Sequence, residues 1–164
     1  MLVEDIMEKE VFTIDPESKI SKAARVMSEE LIGYILILKD DDLIGILTER
    51  DIISEVVAEE ISPSEMKVKE LMSSPVITVD LKVSVKESVE TMTKNVIRRL
   101  PVTDGDELVG IITSTGISSI LPSLDSGISQ EIKSILASIN GIVKEKESRK
   151  KEQEVDEKTS HYIG

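Results

Sequence analysis

The pattern of apolar and polar positions along the chain is written twice. Residues 3–54 align with residues 68–119 at an offset of 65, without a gap. Identical pairs include Val3/Val68, Met7/Met72, Val11/Val76, Thr13/Thr78, Asp15/Asp80, Met27/Met92 and Ile32/Ile97. They continue through Leu43/Leu108, Gly45/Gly110, Ile46/Ile111, Thr48/Thr113 and Ile52/Ile117. A register held over the whole unit indicates an internal duplication. Each copy opens on a short helical turn (Val3–Met7) and a short strand, Val11-Phe12-Thr13-Ile14. Ile20, Ala24, Met27 and Leu31 then recur at helical spacing, as do Val85, Val89, Met92 and Val96, predicting an amphipathic helix. Ser84 with Glu87 three residues on predicts a capping box for the second of these helices. Tyr34–Leu38 and Leu43–Leu47 are uninterrupted apolar runs, short enough to be buried strands. Lys39-Asp40-Asp41-Asp42 reads as the hairpin turn between them, and Asp104-Gly105 as its counterpart. A last helix over about Glu49–Val57 closes the copy, so the expected order is β-α-β-β-α, twice.

Each copy alone is of marginal size for an independent core. The expected fold is therefore α/β (α+β), with the two copies packed as a pseudo-twofold pair. The expected boundaries are residues 1–58 for the first copy, 59–67 for a linker broken by Pro63, and 68–121 for the second. Residues 122–164 form an amphipathic helix and a charged tail. Ile128, Ile132, Ile135, Ile139 and Ile142 are spaced 4-3-4-3. That spacing suits a coiled-coil seam and equally a helix docked on the main domain. From Lys144 to Lys158 nearly every residue is polar or charged, which predicts a solvated extension or a disordered tail.

Composition narrows the function classes. The 40% apolar content is aliphatic, with one Phe, two Tyr and no Trp, so stacking platforms for single-stranded nucleic acid are missing. A formal charge of -12 also argues against nucleic acid, whose binding rests on Lys and Arg. No apolar run approaches the roughly 18 residues of a membrane span, and the N-terminus lacks the marks of a signal peptide. The absence of Cys fits a cytoplasmic protein. His161, the single His, lies in the polar tail, so a His-based catalytic centre and a metal site are not expected. Asp40-Asp41-Asp42 lacks the spacing of a calcium loop, and no phosphate-binding Gly-rich signature occurs.

One junction carries candidate chemistry. In Gly45-Ile46-Leu47-Thr48-Glu49-Arg50-Asp51 a buried strand runs into a helix. Gly45 permits close approach of a ligand or another backbone. Backbone N–H groups beside Thr48 are placed to bind an anion such as a phosphate. Asp51, one helical turn on, presents a carboxylate to a diol such as ribose. The same Thr-x-x-Asp is also a capping box that needs no ligand. The second copy reads Gly110-Ile111-Ile112-Thr113-Ser114-Thr115-Gly116, without the carboxylate.

Taken together, the duplicated unit, the Val-x-x-hydrophobic-Met openings, the Gly-Ile-x-Thr-x-x-Asp ending and Arg98-Arg99-Leu100-Pro101-Val102 resemble the CBS domain. The resemblance covers about residues 3–120. CBS domains occur as tandem pairs, Bateman modules, that bind adenine nucleotides or related adenosyl ligands. It implies that Asp51 holds the ribose hydroxyls and Thr48 lies near ribose or phosphate. It also implies that Arg98 and Arg99 meet the phosphates of a nucleotide held by the other repeat's Asp. Main-chain groups near Thr13, Ile14, Tyr34, Ile35 and Leu36 would flank the base. Tyr34 could also stack on it, although an edge-of-core Tyr is the commoner role. Thr78 and Thr113 would mark a second, degenerate site, because Gly116 replaces the Asp and Gly33 and Tyr34 stand where the arginines would be. One competent site per chain is the expectation. The implied function is a stand-alone, non-enzymatic sensor of AMP, ADP, ATP or S-adenosylmethionine. A ligand-independent interaction module is the alternative. No cofactor beyond the regulatory ligand is expected; a homodimer is, and the 128–143 helix is a candidate surface for a regulated partner.

Overall fold

The computed structural model describes residues 1–139 together with 141, 142 and 145. The tail beyond them, His161 included, lies outside the described residues. Elements follow the expected order twice. The first copy holds β1 (Thr13–Ile14), α1 (Ile20–Glu29), β2 (Tyr34–Lys39), β3 (Asp42–Thr48) and α2 (Glu49–Ile52), which runs on into a π-helical turn, Ile53–Val57. The second holds β4 (Val79–Asp80), α3 (Val85–Asn95), β5 (Arg99–Asp104), β6 (Glu107–Thr113) and α4 (Ser114–Ile120). A short 3-10 turn, Leu121–Ser123, and a further helix, α5, over residues 126–139, follow.

Two three-stranded sheets have orders β1-β2-β3 and β4-β5-β6. The parallel pairing of Ile14 with Ile37 recurs 65 residues later as Val79 with Val102, so the duplication preserves register. The first strand is shorter than expected: Val11 and Phe12 precede it, although the Phe12 carbonyl accepts from the Leu36 N–H of β2 (3.0 Å). Between β2 and β3 the hairpin turns through Asp40 and Asp41, both at positive φ (52° and 69°), as a tight two-residue loop requires.

By internal packing the chain divides into two compact units. One comprises Glu8–Leu81 with Pro101–Ile111; the other comprises Met1–Met7, Lys82–Leu100 and the residues from Ile112 on. In the first, side chains of β2 alternate between two buried faces. Ile35 and Ile37 pack with Ile14, Ile20, Met27 and Leu47 beneath the helices, while Tyr34 and Leu36 pack with Ile111. Burial on both faces explains why these strands read as unbroken apolar runs.

This partition differs from the sequence copies for a specific reason: each opening turn is held by the other copy. Val3 donates its N–H to the Val83 carbonyl (2.8 Å), and Val68 donates to the Ser18 carbonyl (2.8 Å). Leu2 bridges Ser84 just as Lys19 bridges Lys67. Further along, Glu8 pairs with Ile111 and Ser73 pairs with Ile46. Glu17 anchors the second opening segment through ion pairs with Lys67 (2.6 Å) and Lys69 (2.5 Å).

Helix α1 ends earlier than the apolar spacing predicts. Leu31 does not extend its buried face: it adopts a left-handed conformation (φ 56°) and is 93% exposed. Val96 also turns left-handed after α3 (φ 55°), although it stays half-buried. In both, the following N–H turns back onto the helix, from Ile32 to the Met27 carbonyl (3.0 Å) and from Ile97 to the Met92 carbonyl (2.9 Å). Chain reversal, not apolar spacing, decides these two positions.

In the second unit α5 docks on its own chain. Ile132, Leu136 and Ile139 are buried, and Ile135 and Ile142 are half-buried, whereas Ile128 is 55% exposed. The buried stripe thus runs through Ser129, Ile132, Leu136 and Ile139, keeping two of the 4-3-4-3 isoleucines and leaving Ile128 outside it. Asp125 accepts from the Gly127 N–H (2.9 Å) at the start of this helix. Ser129 Oγ donates to the Leu121 carbonyl (3.0 Å), and Glu131 pairs with Lys86 of α3 (2.7 Å). In the first copy the Val56 carbonyl, equivalent to that of Leu121, accepts from Ile61 of the linker instead (2.9 Å).

Candidate functional site

The strand-to-helix junction at Thr48 is the best-defined polar constellation of the first unit. Thr48 ends β3, opposite Tyr34 of β2, in extended conformation, and it caps α2. Its N–H and its hydroxyl both donate to Asp51 Oδ2, at 2.9 and 2.6 Å. The Asp51 N–H donates back to Thr48 Oγ1 at 3.3 Å. Both side chains are half-buried. This is a complete capping box. It has the same bonds as Ser84 and Glu87 at the start of α3, where Ser84 Oγ donates to Glu87 Oε2 (2.6 Å). Those bonds hold the Glu87 carboxyl below its usual range.

Two expectations for the junction are corrected. The Glu49 N–H donates to the Gly33 carbonyl (3.2 Å), and the Asp51 N–H is taken by Thr48, so two first-turn donors expected for an anion are already used. Gly45 makes room for the protein's own side chain: a Cβ there would collide with Met72 Sδ and stand 3.0 Å from its Cγ. Sequence places Met72 in the opening motif and Gly33 opposite the arginines, but neither the packing of Met72 on Gly45 nor the use of the Gly33 carbonyl is legible in it. The repetition of both Met and Gly in each copy, Met7/Met72 and Gly45/Gly110, was the available signal.

Of the other candidates, Thr13 is exposed on β1 and pairs with Leu36. Ile14, Tyr34, Ile35 and Leu36 are buried, so Tyr34 serves the core rather than an open stacking surface. Thr78 is exposed just before β4. The first unit therefore brings together Thr13, Ile14, Tyr34 to Leu36, Thr48 and Asp51. Arg98, Arg99 and Thr113 belong to the second unit. There Arg98 is exposed and Arg99 half-buried. The Arg98 carbonyl accepts from the Ser114 N–H (2.9 Å), the counterpart of the bond from Glu49 to Gly33. Thr113 Oγ1 accepts from the Gly116 N–H (2.9 Å), so the second junction is half a capping box with no carboxylate. Among the described residues no cluster of His, Cys, Asp or Glu could hold a metal ion, and no helix is long and apolar enough to cross a membrane.

Residues 3–58 and 68–123 each match the CBS domain family, which is the duplicated unit seen in sequence and fold. The chain belongs to the CBS-domain family. It carries a tandem CBS pair. Its sequence is 35% identical to hypoxic response protein 1 of Mycobacterium tuberculosis over 132 residues, covering 80% of this chain and 91% of the relative. A protein with CBS domains from Burkholderia ambifaria has a similar structure, with a TM-score of 0.71 at 30% identity, covering 76% of this chain and 97% of the other. A further CBS domain pair, solved in complex with methylthioadenosine and S-adenosyl-L-methionine, superposes with a TM-score of 0.68 at 30% identity, covering 75% and 97%.

Proposed function

We propose that this CBS pair is a non-enzymatic sensor that binds an adenosyl ligand through Thr48 and Asp51. The observation that carries the reading is the Asp51 carboxylate. The Thr48 N–H and hydroxyl both donate to Oδ2, which fixes the group, and Oδ1 is the oxygen assigned to a diol in this reading. The ligand complex of the CBS pair at 30% identity supports an adenosyl ligand as the class. A phosphate role for Arg98 and Arg99 follows from the family resemblance and from their standing as a basic spot in an acidic chain. Missing its carboxylate at Gly116, the Thr113 junction is proposed to be inactive, giving one site per chain. Binding would act by favouring one conformational state over another, by no more than the difference in affinity for the two. The protein would work as a homodimer with α5 exposed to a regulated partner.

A thermal-shift screen of AMP, ADP, ATP, methylthioadenosine and S-adenosylmethionine tests this. A bound ligand at a hundredfold excess over its Kd adds about 2.7 kcal/mol of stability. Asp51→Ala is expected to remove that gain, and Arg98→Ala with Arg99→Ala to weaken phosphorylated ligands selectively. Two equal AMP sites per chain by calorimetry would overturn the single-site reading. A second reading, a ligand-independent interaction module, draws on the identical capping box at Ser84 and Glu87, which serves a helix alone. It predicts that Asp51→Ala costs about 1 kcal/mol of stability and that no nucleotide shifts the melting curve.

A further inference from the structure

We infer that surface charge assigns each opening segment to its own seat and bars it from the other. Backbone and core do not make the distinction. Val3 donates to the Val83 carbonyl and Val85 to that of Met1 (2.8 and 3.2 Å), on either side of the bridge between Leu2 and Ser84. Val68 donates to the Ser18 carbonyl and Ile20 to that of Met66 (2.8 and 3.0 Å), repeating this around Lys67 and Lys19. Val3 and Val68 are fully buried alike. Asp5 Oδ2 accepts the Leu2 N–H (2.8 Å) in the first turn, as Glu70 Oε2 accepts that of Lys67 (2.6 Å) in the second. On these contacts alone, either segment would satisfy either seat. The charged positions differ. The second segment carries Lys67 and Lys69, and its seat presents Glu17, which pairs with both (2.6 and 2.5 Å). At the aligned positions the first segment carries Leu2 and Glu4, and its seat presents Lys82. Exchange would set Glu4 beside Glu17 in one seat and two lysines beside Lys82 in the other. Like charges so placed reject the wrong segment without altering the right one. Glu4, Glu17, Lys69 and Lys82 are exposed, so the selection takes no part in the core and weakens in salt. The same charges would bar a segment from the wrong seat of a neighbouring molecule.

The chain contains no Cys, so engineered thiols report the seating without background. Leu2→Cys, Lys19→Cys and Ser84→Cys are placed together in the full chain, which is unfolded and then refolded in a glutathione buffer at low salt. Residue 2 can join residue 84 in the native seating or residue 19 in the exchanged one, and peptide mapping gives the ratio. Bridged pairs flanked by such bonds lie close enough for a disulfide. The native disulfide is expected to predominate. Reversing the segments with Glu4→Lys, Lys67→Glu and Lys69→Glu should raise the exchanged fraction about tenfold. Refolding in 1 M NaCl should erase the difference between the two proteins. Should that variant not fold, Glu17→Lys with Lys82→Glu reverses the seats instead and carries the same expectation. A ratio unmoved by charge reversal, or a difference that persists in 1 M NaCl, would overturn the inference and leave connectivity through residues 59–67 to set the seating. Failure of both variants to fold in 1 M NaCl, where charge is screened, would overturn it as well.

Discussion

Gly45 and Met72 are each repeated in the other copy, and the Met72 side chain fills the space that a Cβ on residue 45 would need. With Met72 Sδ where a Cβ would stand, Gly45→Ala forces the thioether and the opening turn behind it to move. We expect a loss of about 1–3 kcal/mol in denaturant unfolding, as for an overpacked core site. Met72→Ala should be less harmful in the Gly45→Ala background than alone, a coupling that a double-mutant cycle would measure. Leu31 makes the opposite case. It sits almost fully exposed in a left-handed conformation that strains a side chain bearing a Cβ. Leu31→Gly should raise stability by about 0.5–1 kcal/mol, read from the shift in the denaturant midpoint. At the candidate site, the hydroxyl and carboxylate were legible in Thr48-x-x-Asp51. The bond that occupies the Glu49 N–H was not, because the Gly33 carbonyl reaches Glu49 through strand pairing that no local pattern encodes.

At the scale of elements, most of the fold was legible because each strand and helix announces its burial. The alternation of β2 between two cores makes its apolar run continuous, and the Ser84 to Glu87 box marks the start of α3. What failed were positions where geometry overrides periodicity. Leu31 and Val96 fit a helical stripe in sequence, yet both lie past the point where the chain reverses. The isoleucines of α5 likewise fit a heptad seam, whereas packing on α3 and the Leu121 turn rotates the buried stripe onto Ser129 and Leu136. Docking within one chain makes a clean prediction. Leu136→Ala should cost about 2–5 kcal/mol, independent of protein concentration. Ile128→Ala should change stability by less than about 0.5 kcal/mol. Equal effects of the two, or a loss that grows on dilution, would return α5 to the role of a seam between chains.

Across the whole molecule the formal charge is -12, and one of its carboxylates, Glu17, gathers two lysines. Its hydrogen bonds to Lys67 and Lys69 lower its pKa from 4.5 to about 2. A depressed carboxylate adds stability above its unfolded value and loses it as pH falls through the folded one. The contribution of Glu17 should therefore be full above about pH 4.5 and gone near pH 2. Being exposed, it should also shrink in high salt. The melting temperature of Glu17→Gln should thus lie below wild type at neutral pH and low salt, with the gap closing at about pH 2 or at 1 M NaCl. Glu17 matters because it fastens Lys67 and Lys69, part of an opening segment that belongs in sequence to one copy and in space to the other. A chain carrying only one copy would possess both the strap and the groove for it, yet could not lay one in the other unaided. Two such chains would have to exchange straps, at whatever concentration they met. Joining the copies through residues 59–67 turns that exchange into an intramolecular event, with an effective concentration of order millimolar. The linker thereby frees the fold from dilution.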